Sequence, residues 1–493
     1  MAEDKNETSP SAEGEKPPQE APPAEKQEKE EPKESKEESK KVEENGDGEK
    51  PKENGEEKPT PEPKDMRAIV LNGFGGLKSV KALRKPVPTP AEGELLIRVK
   101  ACGLSFQDLM ARQGAIDSPP KTPFIMGSEC AGDIEQVGEG VENFKVGDRV
   151  VAFPDHKAWA ELVVVPATSV FPLPPGMSYL DASAITMNYT VAYILLFKLA
   201  NLTPGKSLLL HSAGGGVGQA VVQLAKTVND VTIFGVCSKS KHEALKAVGT
   251  IDHFWILQHF CYTLYIYVYI NRIRRRCPKD CLLIFDSIDR ISPEGVDIVL
   301  DCLCGEECNK GYALLKPMGK YILYGSSNVV TGEMKSFFSA ARSWWQVDKV
   351  SPIKLFEENK TLSGLNLRHL MYKHGSHDYV RQSVERVFDL WSEGKIKPVI
   401  DSTWALEDVP EAMQKMHDRK NIGKIVLDPS LEPKPKPATP AKGKAKDKKA
   451  ASQEEKKASS VESEDGEKKK EPELTNGTSE DKSDSDSKEK ESS

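Results

Sequence analysis

Three consecutive glycines carry the clearest chemical signal in the chain. Residues 208–218 read LLLHSAGGGVG, an apolar run that passes through Ala213, Gly214, Gly215, Gly216, Val217 and Gly218. The run leaves with helical spacing at Val221, Val222, Leu224 and Ala225. Glycines permit a tight turn and the close approach of a pyrophosphate, and a helix start supplies free N–H groups and the positive end of a dipole. The spacing is A-x-x-G-x-G, from Ala213, Gly216 and Gly218, with Gln219 where a strict G-x-G-x-x-G would put its third glycine. A glycine cluster alone can be only a tight turn. A strand before it and a helix after it point to dinucleotide binding.

The next apolar run decides which dinucleotide. A site for NAD wants a carboxylate about 20 residues past the glycines, to accept from the ribose 2′-hydroxyl. Here the chain reads Cys237-Ser238-Lys239-Ser240-Lys241, with no acid before Glu243. Two hydroxyls, Ser238 and Ser240, and two ammoniums, Lys239 and Lys241, suit a 2′-phosphate instead, which predicts NADPH. The plainer alternative is a solvated helix start with Ser240 as its cap.

Metal chemistry is not expected. Cys277, Cys281, Cys302, Cys304 and Cys308 give C-x3-C and C-x-C-x3-C, which match no common structural zinc spacing. Cys302 ends an apolar run, where a free thiol serves as a small hydrophobe. His211 lies in the strand before the glycines and reads as a hydrogen-bonded core residue. No nucleophile–base arrangement can be located, so the catalytic residues stay unassigned.

The elements that must hold this turn follow from patterning. Residues 94–102 (ELLIRVKAC) alternate Ile97, Val99 and Ala101 against Arg98 and Lys100, the period of a half-buried strand. Similar runs at 131–137, 146–153 and 159–166, separated by turn residues, predict a β-rich first domain over 65–190. From about residue 190 the grammar changes. Continuous apolar runs at 207–213, 231–237, 296–302 and 321–326 alternate with helix-like stretches, which predicts a doubly wound parallel sheet over 191–332. After 333 that rhythm is lost, and the chain is expected to return to the first domain over 333–428.

Charge is distributed unevenly. Residues 1–64 hold 12 Lys against 21 Asp and Glu, and residues 429–493 hold 15 against 16, so the chain's −7 leaves +3 for 65–428. Neither end contains an aromatic residue. Such segments cannot bury enough apolar surface to offset ordering entropy, so 1–64 and 429–493 are expected to be disordered. The basic run 433–449 reads as a solvated linker, not as a specific nucleic-acid contact, because acidic residues follow it at once. The chain opens MAEDKNETSP, without the apolar stretch of a secretory signal. Its nine cysteines form no secreted framework, so a cytoplasmic chain with reduced thiols is expected.

Residues 254–290 are anomalous. They pack seven aromatics into 254–269 and four Arg into 272–276, where a compact fold would use a short polar connection. Three readings stand: a membrane-surface loop with aromatics in the interface and Arg on headgroups, a wrongly translated stretch of a gene model, or another insertion. The uncharged run 255–270 is shorter than the roughly 20 residues of a spanning helix.

The runs VKACGLSFQDLMARQG, LLLHSAGGGVGQAVVQLAK, SKSKHEAL, ISPEGVDIVLDCL, GKYILYGSSN and NIGKIVLD resemble the zinc-free quinone-oxidoreductase branch of the medium-chain dehydrogenase/reductases. Within it they are most similar to the synaptic vesicle membrane protein group, the vesicle amine transport homologues. The likeness covers about Lys64 to Asp428, without 254–290. It implies an α/β fold in which a GroES-like β-rich domain, built from both ends of the core, carries an inserted Rossmann domain. It implies NADPH at the glycine turn, with Ser238 and Lys241 at the 2′-phosphate and Gly325 and Ser326 beside the nicotinamide. It also implies a homodimer, and peripheral association with synaptic vesicles or the mitochondrial outer membrane.

The chain departs from its relatives at telling places. Zinc-dependent members offer Cys and His where Ser105 and Phe106 stand, and G-H-E where Gly127-Ser128-Glu129 stands. Quinone-reducing relatives place Asn at Ser105 and Tyr at Met110, and their T-A-Y is Val191-Ala192-Tyr193 here, with Thr190 displaced by one. The resemblance therefore implies a zinc-independent, NADPH-dependent oxidoreductase passing hydride to a quinone or enone. The departures at Met110 and Val191 favour the alternative, a nucleotide-binding adaptor in membrane trafficking or mitochondrial dynamics with little turnover.

Overall fold

A computed structural model describes residues 64–247, 253–256, 292–329 and 350–435. The expectations for 1–63, 257–290 and 436–493 lie outside these residues, whereas 429–435 are described, with Arg67 Nη2 donating to the Pro429 carbonyl over 2.8 Å.

The continuous apolar runs become a six-stranded parallel sheet. Its order is His253–Ile256, Thr232–Cys237, Ser207–His211, Val296–Asp301, Leu315–Leu323 and Thr361–Gly364, with every neighbouring pair parallel. Numbered along the chain this is 3-2-1-4-5-6, the order of the doubly wound dinucleotide fold. The two central strands, Ser207–His211 and Val296–Asp301, are buried along their whole length, because helices cover both faces of such a sheet.

Two expected boundaries are corrected. The sheet does not end at residue 332, because its sixth strand is Thr361–Gly364, paired with Leu315–Leu323. That strand is short, lies at the sheet edge and is mostly exposed, so it lacks the apolar run that marks its neighbours. The anomalous segment does not begin at 254 either, because Phe254, Trp255 and Ile256 pair with Gly235, Val236 and Cys237 as the opposite edge strand.

The β-rich part forms a second sheet from both ends of the core. Ile400–Trp404 and Lys424–Leu427 join Glu94–Leu104, Cys130–Val137, Arg149–Ala152 and Val170–Pro172, and Leu162–Pro166 pairs with Glu94–Leu104. Ile97, Val99 and Ala101 are buried while Arg98 and Lys100 are exposed, as their alternation requires. Helix Tyr179–Tyr193, continuing as a π-helical stretch Ile194–Leu199, packs on both Glu94–Leu104 and helix Gly216–Ala225. By length and composition it is the one helix among the described residues that could cross a membrane, yet 67% of its apolar window is buried within the fold. It is the core helix joining the two halves.

Candidate functional site

All the singled-out segments sit at the carboxyl ends of the parallel strands. That is where open α/β sheets bind ligands, at the point where strand order reverses. Here the reversal falls between Ser207–His211 and Val296–Asp301.

The glycine turn leaves the first of these strands through Ser212, which adopts φ +57°. Gly215 caps helix Gly216–Ala225. A Cβ on Gly218 would lie 2.4 Å from the Ser212 carbonyl oxygen and 2.7 Å from that of Ala213, so the helix approaches the strand as only glycine allows. A Cβ on Gly216 would lie 2.4 Å from Asn188 Nδ2, on the core helix. Ala213 is fully buried, and Gln219 Nε2 donates to its carbonyl over 2.8 Å. Gln219 thus braces the turn from the position where a third glycine was looked for.

The tip of strand Thr232–Cys237 stands beside the turn. Ser238 is half-buried, and its hydroxyl lies 3.2 Å from that of Ser240. Ser238, not Ser240, occupies the N-cap position of the short helix Lys239–Lys241. Lys239 points to solvent, whereas Lys241 is buried. The Lys241 stem runs against Gly214, and its ammonium donates to the Asn421 carbonyl over 2.6 Å. Burial holds its pKa below the ordinary lysine value, opposed by Cys237 and Asp401 and reinforced by the nearby Arg419.

Asn421 belongs to a stretch of the β-rich half that arches over the turn. Gly423 N–H donates to the Gly214 carbonyl over 3.0 Å, and Gly215 and Gly423 form an isolated parallel bridge. Arg419, exposed and at φ +55°, reaches 3.5 Å from Asn328 Oδ1. Sequence reasoning missed Arg419, because its place beside Lys241 and Asn328 comes from an approach between distant parts of the chain.

Gly325 and Ser326 follow strand Leu315–Leu323 and lie against the end of Val296–Asp301. A Cβ on Gly325 would come 3.1 Å from the Cys302 carbonyl, and Ser327 N–H donates to that carbonyl over 2.9 Å. The Ser327 hydroxyl is buried without a hydrogen-bond partner among the described residues. His211 corrects its expectation: it is buried, but neither ring nitrogen has a hydrogen-bond partner among the described residues.

The position where zinc-dependent relatives hold their metal is filled differently. Ser105 caps helix Phe106–Arg112 and is bonded through its N–H (2.8 Å) and hydroxyl (3.0 Å) to Asp108 Oδ2. Glu129 forms a wholly buried ion pair with Lys424. Burial raises the Glu129 carboxyl, and Lys424 opposes that rise. Burial also pushes Asp108 up to about 7, against the Ser105 hydrogen bonds and the Lys424 charge. Hydroxyls at Ser105 and Ser128 and an ammonium on Glu129 do not fit a zinc ion, which wants three converging N, S or O donors.

Comparisons with known proteins agree with this architecture. An alcohol dehydrogenase GroES-like domain model matches residues 91–175. A model described as zinc-binding dehydrogenase matches 284–427, and so begins inside the anomalous segment. Synaptic vesicle membrane protein VAT-1 homolog-like from Homo sapiens is 52% identical over 371 residues, covering 75% of this chain and 83% of the relative. The crystal structure of the human VAT-1 homolog-like protein superposes with a TM-score of 0.62 at 46% identity, covering 75% of this chain and 99% of that one. The structure of mycobacterial Rv1454c complexed with NADPH superposes at 0.61 and 25% identity, over 74% of this chain and 100% of that one. The chain therefore belongs to the family of VAT-1 and VAT-1-like homologues, within the medium-chain dehydrogenase/reductase superfamily.

Proposed function

We propose that the chain binds NADPH in this crevice and is a zinc-independent oxidoreductase acting on a quinone or other conjugated carbonyl compound. The observation that carries the reading is placement. The turn Ala213–Gly218, the Ser238–Lys241 tip and the Gly325–Ser326 segment all follow the carboxyl ends of strands on the two sides of the order reversal.

The residues present fit the cofactor. Gly215 and Gly216, half-buried, put no side chain at the start of helix Gly216–Ala225, whose first N–H groups have no partner within the helix and would face a pyrophosphate. Ser238 offers a hydroxyl and Lys241 an ammonium to a 2′-phosphate. Arg419 adds a second cation on the same side. The unpartnered Ser327 hydroxyl is available to the nicotinamide end. When bound, NADPH supplies the hydride, and the protein contributes orientation and a crevice shielded by the 421–423 arch. We assign no proton donor.

A vesicle location, with peripheral attachment, is proposed from the name of the relatives. The open edge of the parallel sheet supports a homodimer. The adaptor reading keeps one observation in its favour: Thr190, displaced by one from the T-A-Y of quinone-reducing relatives, is fully buried, and its hydroxyl has no partner among the described residues.

Calorimetric titration with NADPH and NADH, followed by NADPH oxidation against quinones and enones, tests the proposal. A preference for NADPH of about tenfold or more corresponds to at least one good phosphate contact, about 1.4 kcal/mol. Equal affinities would refute the cofactor choice. Tight NADPH binding without turnover on any acceptor would favour the adaptor.

A further inference from the structure

Strand Val296–Asp301 ends in a loop that brings two thiols together. Asp301 Oδ1 accepts from the N–H groups of Leu303 (2.6 Å) and Cys304 (3.4 Å), which folds the chain back on itself. Cys304 takes φ +65°, in the left-handed region. Helix Glu306–Ala313 begins at once behind Gly305 and returns Cys308, in its first turn, over the loop. The Cys308 thiol lies 3.3 Å from Asp301 Oδ2, and Cys304, whose N–H reaches the other oxygen of that carboxylate, packs against the apolar cluster that contains Cys308. Cys308 is buried, whereas Cys304 is half-exposed.

The two sulfurs are chemically unequal. Hydrogen bonds from Cys308 and from the Gly305 amide bring Cys304 down to about 7. The same contact, followed by burial, pushes Cys308 up. At neutral pH one sulfur is thus a reachable nucleophile and the other a protonated neighbour, the division of labour of an attacking and a resolving thiol.

We propose that Cys304 and Cys308 form a peroxide-sensitive dithiol that closes to an intramolecular disulfide. The Cys304 thiolate attacks hydrogen peroxide: an S–O bond forms, the O–O bond breaks, and hydroxide leaves and is protonated to water. The Cys308 sulfur then attacks the Cys304 sulfenic acid: the S–S bond forms, the S–O bond breaks, and a second water leaves. The Cys308 proton passes to the adjacent Asp301 carboxylate and on to solvent. Two thiols are oxidised and one peroxide is reduced. The reaction needs no bound nucleotide. Its consequence lies close to the crevice, because the Cys304 carbonyl accepts from Asn328 Nδ2 over 2.9 Å, next to the Gly325–Ser326 segment.

The reduced full-length protein is exposed to hydrogen peroxide at neutral pH, denatured with excess iodoacetamide and digested with trypsin. Residues 291–310 form one tryptic peptide holding Cys302, Cys304 and Cys308. The expected product is that peptide with a single alkylated cysteine, Cys302, and two hydrogens lost from the other two. Fragmentation of the wild-type peptide locates the bond, so the test does not depend on a variant folding. In Cys308→Ser the bond is lost and dimedone labels Cys304, whereas Cys302→Ser still forms it. A peptide with all three cysteines alkylated after peroxide, a bond involving Cys302, or a disulfide between two chains overturns the proposal.

Discussion

The Lys241 ammonium and the Asn421 main-chain carbonyl, 180 positions apart in sequence, meet at 2.6 Å and tie the doubly wound half to the β-rich half beside the glycine turn. Lysine has three donors, so this bond holds the ammonium in place and leaves two for a phosphate. The contact that positions the cation is therefore also one that closes the crevice.

Lys241→Met tests that double role. The thioether keeps the stem against Gly214 but removes the charge. A charge-assisted hydrogen bond is worth about 1.5–3 kcal/mol, so NADPH affinity should fall roughly tenfold to hundredfold. NADH affinity should stay nearly unchanged. Calorimetric titration of both cofactors checks this, and an equal loss for both would remove Lys241 from the phosphate site.

Replacing Lys424 by Met should be far more damaging to folding. Lys424 is 3% exposed and Glu129 0%, so the substitution strands a buried carboxylate and should cost about 3–5 kcal/mol. Adding Glu129→Gln should recover part of that loss. Chemical denaturation of the single and double variants measures it. The same ion pair predicts that elemental analysis of dialysed, tag-free protein finds no stoichiometric zinc.

Asp108 should make stability pH-dependent. Its folded pKa is raised from 3.8 to about 7, chiefly by burial, so the native state binds a proton that the unfolded chain has released. Its contribution is therefore complete below about pH 4 and is lost as pH rises through about 7. Glu129 shifts in the same direction, so the wild type alone does not isolate Asp108. Asp108→Asn should flatten the fall in unfolding free energy between these limits relative to wild type. An unchanged slope would mean that Asp108 is ionised in the folded protein.

The open sheet edge bears on oligomeric state. Among the described residues, strand Thr361–Gly364 has no neighbour on its outer side. Leu362 (44%) and Phe356 (82%) are exposed beside it. An uncovered edge with apolar side chains is a template for pairing. The wild type should sediment as a dimer, and Phe356→Glu combined with Leu362→Lys should shift it to monomer.

The glycine turn, the alternation of 94–102 and the buried runs at 207–211 and 296–301 were legible because each depends on local chemistry: a period, a run length, a turn that tolerates no side chain. The fold class followed from them, and the family from the resemblance of longer runs such as LLLHSAGGGVGQAVVQLAK. The sixth strand was not legible, since an exposed edge strand of four residues carries no apolar signature. Nor was the start of 254–290 as a strand, because aromatic residues suit a sheet edge as well as an insertion. Only the tertiary structure decided that Gln219 braces the turn, that Lys241 rather than Lys239 is buried, that Arg419 stands beside it, and that Lys424 neutralises Glu129. Each of these depends on side chains from distant segments sharing one low-dielectric space, and sequence spacing carries no information about that distance.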